Sequence, residues 1–329
     1  MTRLVIGLCL MLLSACILSL HAGLTFFDPA TVISALAGGE GTDALIVTTL
    51  RLPRTLIGVC TGAALGLSGL LMQSVTRNPL AEPGLLGVNA GAALFVTLGA
   101  TVLGFSGLAG IGTAAMLGAV ATTALVFLLS VSARGADNPA TTLLAGVTVA
   151  ALLASFTQTL LLIDETALET LLFWLSGSFA DRALNLLFLG LPLLVAGCAG
   201  SFFFASSLDA LRLDDASART VGVNVMFVRI AALAFAALLA AGAVAMAGPV
   251  LFLGLAAPHL ARRLMGDTLP STRALIVLSM LTGALIAVVA DILARIVVAP
   301  GEAPISAVLA LVGVPLLVHL LRRRKAVSL

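Results

Sequence analysis

Charged chemistry has few places to occur in this sequence: Lys and Arg total 17 and Asp and Glu 15 in 329 residues. Three groups stand out. Arg51 and Arg54 bracket Leu52-Pro53, and Asp291 stands four residues before Arg295. Guanidinium groups so placed make charge-assisted, often bidentate bonds to carboxylates, either those of another molecule or, for Arg295, the one a helical turn away. The third group, Asp209, Arg212, Asp214, Asp215 and Arg219, mixes signs within residues 206–225. That pattern fits a solvated connection, or a short amphipathic helix that seats in a groove of another protein.

Other chemistries find little support. His259 has no carboxylate or cysteine near it in sequence, so structural service near a helix end is expected of it. Cys9, Cys16, Cys60 and Cys198 lie far apart inside apolar runs without metal-ligand spacing and read as small buried residues, with no metal site. No G-x-x-x-x-G-K-[ST] phosphate loop occurs, so ATP is not bound in that manner. The apolar runs also lack the chains of buried carboxylates and histidines that proton-driven carriers use, Asp291 being the one acidic residue within them. Energy for any work must come from a partner. Thr141, Thr148 and Ser155 recur every seven residues, with Gln158 and Thr159 one turn beyond, so they form one polar stripe on a helix. Such a stripe lines a passage or bonds to a neighbouring helix.

The elements that must position these residues are apolar helices. Hydrophobic residues make up 60% and charged residues 10% of the chain, against roughly 25% charged in a soluble domain. Runs of about 20 apolar residues are predicted near 4–22, 55–73, 89–107, 113–132, 140–163, 185–205, 226–247, 248–264, 274–295 and 305–321, so the fold class is an all-α polytopic membrane protein with about ten transmembrane helices. The pair at 226–264 is divided only by Gly248-Pro249. With both termini cytoplasmic, thirteen of the Lys and Arg residues fall inside and only Arg51, Arg54, Arg182 and Arg295 outside, a strong positive-inside bias. The chain is expected to be a single membrane domain over 1–329, contacting membrane lipid and no nucleic acid.

Leu13-Ser14-Ala15-Cys16 resembles a lipoprotein cleavage site, but the apolar run continues through Ile17, Leu18 and Leu20, and an uncleaved first helix is expected. Residues 23–50 form an outside segment with a Gly38-Gly39-Glu40-Gly41 turn. The next helix carries Gly58, Gly62, Gly66 and Gly69. The first three share one face and allow close backbone approach, the mark of a packed central helix. After it, Asn78-Pro79 and Glu82-Pro83-Gly84 each fix a turn.

These stretches resemble the FecCD-type family of bacterial ABC importer permeases, which carry ferric siderophores, haem and cobalamin. Arg51-Leu52-Pro53-Arg54, Gln73, Asn78-Pro79-Leu80-Ala81, Pro83 and Gly87 match the family's RLPR, glutamine and NPLA-x-P-x-x-L-G pattern. Gly248 to Arg262, with Pro258 and His259, matches its G-P-x-x-F-x-G-L-x-x-P-H-x-x-R signature. Ala218-Arg219-Thr220-Val221-Gly222-Val223 looks like its ARSLGV segment, with Thr-Val where Ser-Leu is common. Phe173-Trp174 and Gly177-Ser178 are similar to an FW-x-x-GS stretch beside the periplasmic mouth.

The resemblance implies the membrane subunit of a binding-protein-dependent, ATP-driven importer in the bacterial inner membrane, with a ferric siderophore as cargo and haem or cobalamin as alternatives. A second permease chain, two cytoplasmic ATPase subunits that bind ATP and magnesium, and a periplasmic binding protein are the implied partners. Arg51, Arg54 and Arg295 would receive acidic side chains of the binding protein. Asp215, Ala218, Arg219, Thr220 and Gly222 would couple to the ATPase. Thr141, Thr148, Ser155 and Gln158 would line a pathway between two permease chains, while Gln73, Asn78, Pro79, Pro258 and His259 would serve the motif structurally. The rival from another class is a self-sufficient secondary carrier.

Overall fold

A computed structural model describes residues 1–105, 107–132, 139–212, 215–266, 271–297, 303–311, 313 and 315. Among these, all regular structure is helical. The order is α1 (Thr2–His21), α2 (Pro29–Leu36), α3 (Thr42–Leu45), α4 (Leu52–Thr76), α5 (Val88–Leu103), α6 (Leu108–Ser132), α7 (Pro139–Leu161), α8 (Glu165–Leu175), α9 (Leu187–Phe203), α10 (Ala205–Leu211), α11 (Asp215–Thr220), α12 (Val225–Ala247), α13 (Leu253–Leu264) and α14 (Thr272–Val297). A π-helical turn, Ile46–Arg51, joins α3 to α4 without a break. Pro53 sits in the first turn of α4. Because its ring nitrogen carries no hydrogen, the wider turn just before it accommodates the lost α-helical bond.

α4 is the hub. It is surrounded by α12, α13 and α14, and 83% of its membrane-length window is buried, against 17% for α1. The glycines explain how. A Cβ on Gly62 would collide with the carbonyl oxygen of Gly283, one on Gly66 with that of Ser279, and one on Gly69 with that of Gly254. One helix, α14, and the start of a second, α13, therefore approach α4 backbone to backbone, which in an apolar medium is the main source of helix association. The remaining helices build outward from this core: α5 packs on α6 and α7, α9 on α12, and α1 on the flank of α14.

Among the described residues, seven stretches are long and apolar enough to cross a membrane: Thr2–His21, Thr42–Thr76, Leu108–Ser132, Ala140–Leu161, Leu184–Phe203, Val225–Ala247 and Thr272–Val297, with the shorter apolar helix Val88–Leu103 beside them. The architecture is that of a multi-pass membrane protein. The segment expected at 248–264 is helical over only part of its length. Its helix is only the 12 residues of α13, about 18 Å long against a hydrocarbon core of roughly 30 Å. The preceding residues leave the helix because Gly248 (φ 75°) and Phe252 (φ 65°) are both left-handed, so Pro249 to Leu251 run as irregular chain. The expected span at 89–107 likewise stops at Leu103, where Gly104 (φ 66°) ends it. Of the span expected at 305–321, residues 305–311 are helical, whereas Arg322 to Lys325 lie outside the described residues.

Candidate functional site

The arginines of the sequence pattern converge at one end of the α4–α14 pair. Arg54 Nε donates to both Asp291 carboxylate oxygens, at 2.9 and 3.1 Å. Arg295 donates to the same carboxylate through Nε at 3.0 Å and again through Nη2, so the pair four residues apart does form. Its Nη1 also reaches the carbonyls of Ser19 (2.9 Å) and Ala22 (3.1 Å). Arg51 donates to the carbonyls of Leu20 and His21, both at 2.8 Å, and of Thr25 at 2.6 Å. The Arg51 guanidinium also stands 4.1 Å from the centre of the Phe27 ring, within cation–π range.

Two guanidinium groups thus share a single carboxylate, and the third, that of Arg51, is held by backbone carbonyls. The balance comes from the C-terminal end of α1, whose last carbonyls have no intrahelical partner and carry the negative end of the helix dipole. The expectation of exposed guanidinium groups here is met differently. Side-chain exposure is 11% for Arg54, 7% for Arg295 and 2% for Asp291, and all three arginines turn inward.

At the opposite end of the bundle, α10 and α11 cross beneath three helices. Asp215 accepts from Arg77, the left-handed residue that ends α4, at 2.8 Å, and from Arg229 in the second turn of α12 at 2.8 and 2.9 Å. Arg77 also bonds the Leu211 carbonyl at 2.7 Å. Asp209 accepts from the backbone N–H and the hydroxyl of Thr272, which opens α14, at 2.8 and 2.7 Å. Ala218 is fully buried, while Arg219, Thr220, Val221 and Gly222 are exposed. Gly222 (φ 83°) ends α11, and the N–H of Val223 returns to the Ala218 carbonyl at 3.0 Å. Helical turning over 216–221 with a glycine stop is therefore as the residue types indicate.

The remaining motif residues tie α4 to α13. Gln73 Oε1 accepts from Arg262 at 2.6 Å. Pro258 and His259 are buried in α13, whereas Pro79 is exposed. The Asn78 side chain accepts from the Leu80 N–H at 3.0 Å, an Asx turn that starts the following loop. In that loop Glu82 lines a pocket with Leu65, Val88, Asn89, Val244 and Val250, and burial pushes its carboxyl above the ordinary range.

On α7, Thr148, Ser155, Gln158 and Thr159 face away from the rest of the chain, with Thr141 half-buried. The hydroxyls of Thr148 and Ser155 bond the carbonyls four residues back, at 2.9 and 3.0 Å. The threonines off the stripe are the ones that pack inward: Thr142, bonded to Ser130 at 2.6 Å, and Thr157. Trp174 and Arg182 are buried, with Trp174 Nε1 and Arg182 Nη2 lacking hydrogen-bond partners among the described residues. Burial lowers the Arg182 guanidinium below its ordinary value, and Asp181 opposes this.

Sequence reasoning did not find Arg77, Arg229 and Arg262, the counterparts of Asp215 and Gln73, nor the Asp209–Thr272 link. Arg229 lay inside an apolar run, and a charge there always needs a partner. That signal was available, though the partner's identity was not.

The profile of the FecCD transport family matches residues 10–323. The chain is 38% identical to the ferric enterobactin transport system permease protein FepD of Escherichia coli, over 97% of this chain and 94% of that protein. It is 37% identical to the Fe(3+)-citrate import system permease protein YfmD of Bacillus subtilis, covering 85% and 82%. Its fold matches a solved inward-facing conformation of a metal-chelate type ABC transporter with a TM-score of 0.85 and 31% identity, over 98% of this chain and all of the other.

Proposed function

The chain belongs to the FecCD transport family, and from that premise we propose that it is the permease of an ATP-driven importer in the bacterial inner membrane, with a ferric siderophore as its cargo. The observation that carries this reading is the α10–α11 segment. Its base is fixed by Asp209 and Asp215 to the ends of α4, α12 and α14, while Arg219 to Gly222 remain exposed, as a docking element for a driving partner requires.

In this reading both termini and α10–α11 are cytoplasmic, with about ten membrane segments of which α13 is a short one. ATP and magnesium are bound by two ATPase subunits that meet Arg219, Thr220 and Gly222. A second permease chain faces α7, so that Thr141, Thr148, Ser155 and Gln158 line the pathway between the two copies. The binding protein docks over the arginine end of α4 and α14, where its acidic groups would compete with Asp291 for Arg54 and Arg295. ATP-driven displacement of α10–α11 shifts a rigid helix core between two arrangements, opening the pathway alternately to either side.

Uptake by a strain lacking this chain tests the proposal, using labelled iron on a panel of siderophores beside labelled haem and cobalamin. Selective loss of one ferric chelate is the expected result. Loss of haem or cobalamin uptake alone would replace the cargo. Ion-driven uptake by the purified chain alone in liposomes would replace the mechanism with that of a secondary carrier.

A further inference from the structure

Resting on the coupling role proposed for residues 206–225, we infer that Asp209 is the positioning residue that passes movement of this segment to α14. The bond it makes is a capping bond supplied from another element. Asp209 Oδ1 accepts from the Thr272 N–H at 2.8 Å and the Thr272 hydroxyl at 2.7 Å, across 63 residues of chain. Thr272 is the first residue of α14 and only 2% exposed, so its N–H is one of the donors that a helix start leaves without an intrahelical partner.

α14 does not need Asp209 in order to begin. Ser271 already supplies a local cap, its hydroxyl accepting from the Ala274 N–H at 3.3 Å and its carbonyl from the Leu275 N–H at 3.1 Å. The Asp209 bond therefore adds a connection between elements to a helix start that is already closed. A carboxylate at the positive end of a long helix dipole makes that connection strong in one place and weak once displaced.

The division of labour between the two aspartates follows from their partners. Asp215 holds α4 through Arg77 and α12 through Arg229, and Asp209 holds α14. From Thr272 the 26 residues of α14 run unbroken to Asp291 and Arg295 near the other end, so a push at Thr272 moves the arginine cluster without passing through a loop.

The test uses the complete complex with its ATPase and binding protein in proteoliposomes, reading cargo delivered per ATP hydrolysed. Asp209→Ala should keep ATP hydrolysis near the wild-type rate while cargo per ATP falls roughly tenfold, the scale of one lost charge-assisted bond. Asp209→Asn, which caps as well as aspartate, should restore most of the ratio. Thr272→Pro supplies an independent check. It removes both donors, yet proline is favoured at the first position of a helix, so it should reproduce the Asp209→Ala ratio, and the double variant should be no worse than either. An unchanged ratio in Asp209→Ala and Thr272→Pro, or an Asn variant as defective as Ala, overturns the inference. Failure of the wild-type complex to require ATP overturns instead the coupling role on which it rests.

Discussion

Arg54 and Asp291 lie 237 residues apart in the chain and meet with Arg54 Nε 2.9 and 3.1 Å from the two carboxylate oxygens. Because Arg295 uses the same carboxylate, Asp291→Ala would leave two buried guanidinium groups facing each other. Breaking such a buried pair from one side costs roughly 3–5 kcal/mol. Thermal unfolding of the detergent-solubilised protein should show a large fall for Asp291→Ala, and a wild-type midpoint would disprove the role given to this carboxylate.

The glycine stripe makes a graded prediction. A Cβ at Gly66 meets the fixed Ser279 carbonyl, whereas one at Gly58 meets the Phe179 ring at 3.2 and 3.3 Å, a side chain that can yield. Gly66→Ala should destabilise by about 1–3 kcal/mol and Gly58→Ala by distinctly less. Equal midpoints for the two variants would remove the argument for backbone contact.

Asp164 caps α8, accepting from the Thr166 hydroxyl at 2.7 Å and from the N–H groups of Thr166 and Ala167 at 3.0 and 3.3 Å. The Thr166 hydroxyl bond, first among these, lowers its carboxyl below the ordinary aspartate value. A lowered folded value means that the cap contributes above the unfolded value and is lost as pH falls through the folded one. Trp174, the only tryptophan, lies on α8, so its fluorescence should step at acid pH, below the normal aspartate range. The step should vanish in Asp164→Ala.

Gly222 holds φ 83°, which proline cannot adopt, and Arg219 is exposed one turn earlier. Gly222→Pro and Arg219→Glu should each abolish coupled import while the folded protein remains in the membrane. Circular dichroism of the purified variants and uptake in proteoliposomes check the two halves of that statement. Normal ATP-coupled import by both variants would exclude this loop as the coupling element.

Cysteines placed at Thr148, Ser155 and Gln158 in a chain stripped of its four native cysteines report on α7. All three positions face away from the chain's own core. They should react with a small hydrophilic thiol reagent in the assembled complex, with Thr142→Cys protected. Reaction at Thr142 in preference to the stripe would assign the passage elsewhere.

Helix content, the glycine face of α4, the turn at Gly222 and the i, i+4 pairing of Asp291 with Arg295 were all legible in the chain, because each is set by periodicity or by one residue's conformational range. The short α13 was not. Hydropathy sums over 248–264 as one run, and only the left-handed backbone at Gly248 and Phe252 separates irregular chain from helix.

Pairing over distance was equally hidden. Residue types mark Arg51, Arg54, Arg229 and Asp215 as groups that require partners, since a buried charge is costly without one. Which partner each receives depends on where the small faces of α4, α12 and α14 allow the helices to meet. Backbone contact at Gly62 and Gly66 sets the position of α14 against α4, and that position places Asp291 beside Arg54. Local rules therefore determined the helices and their demands, and tertiary packing alone decided how those demands are met.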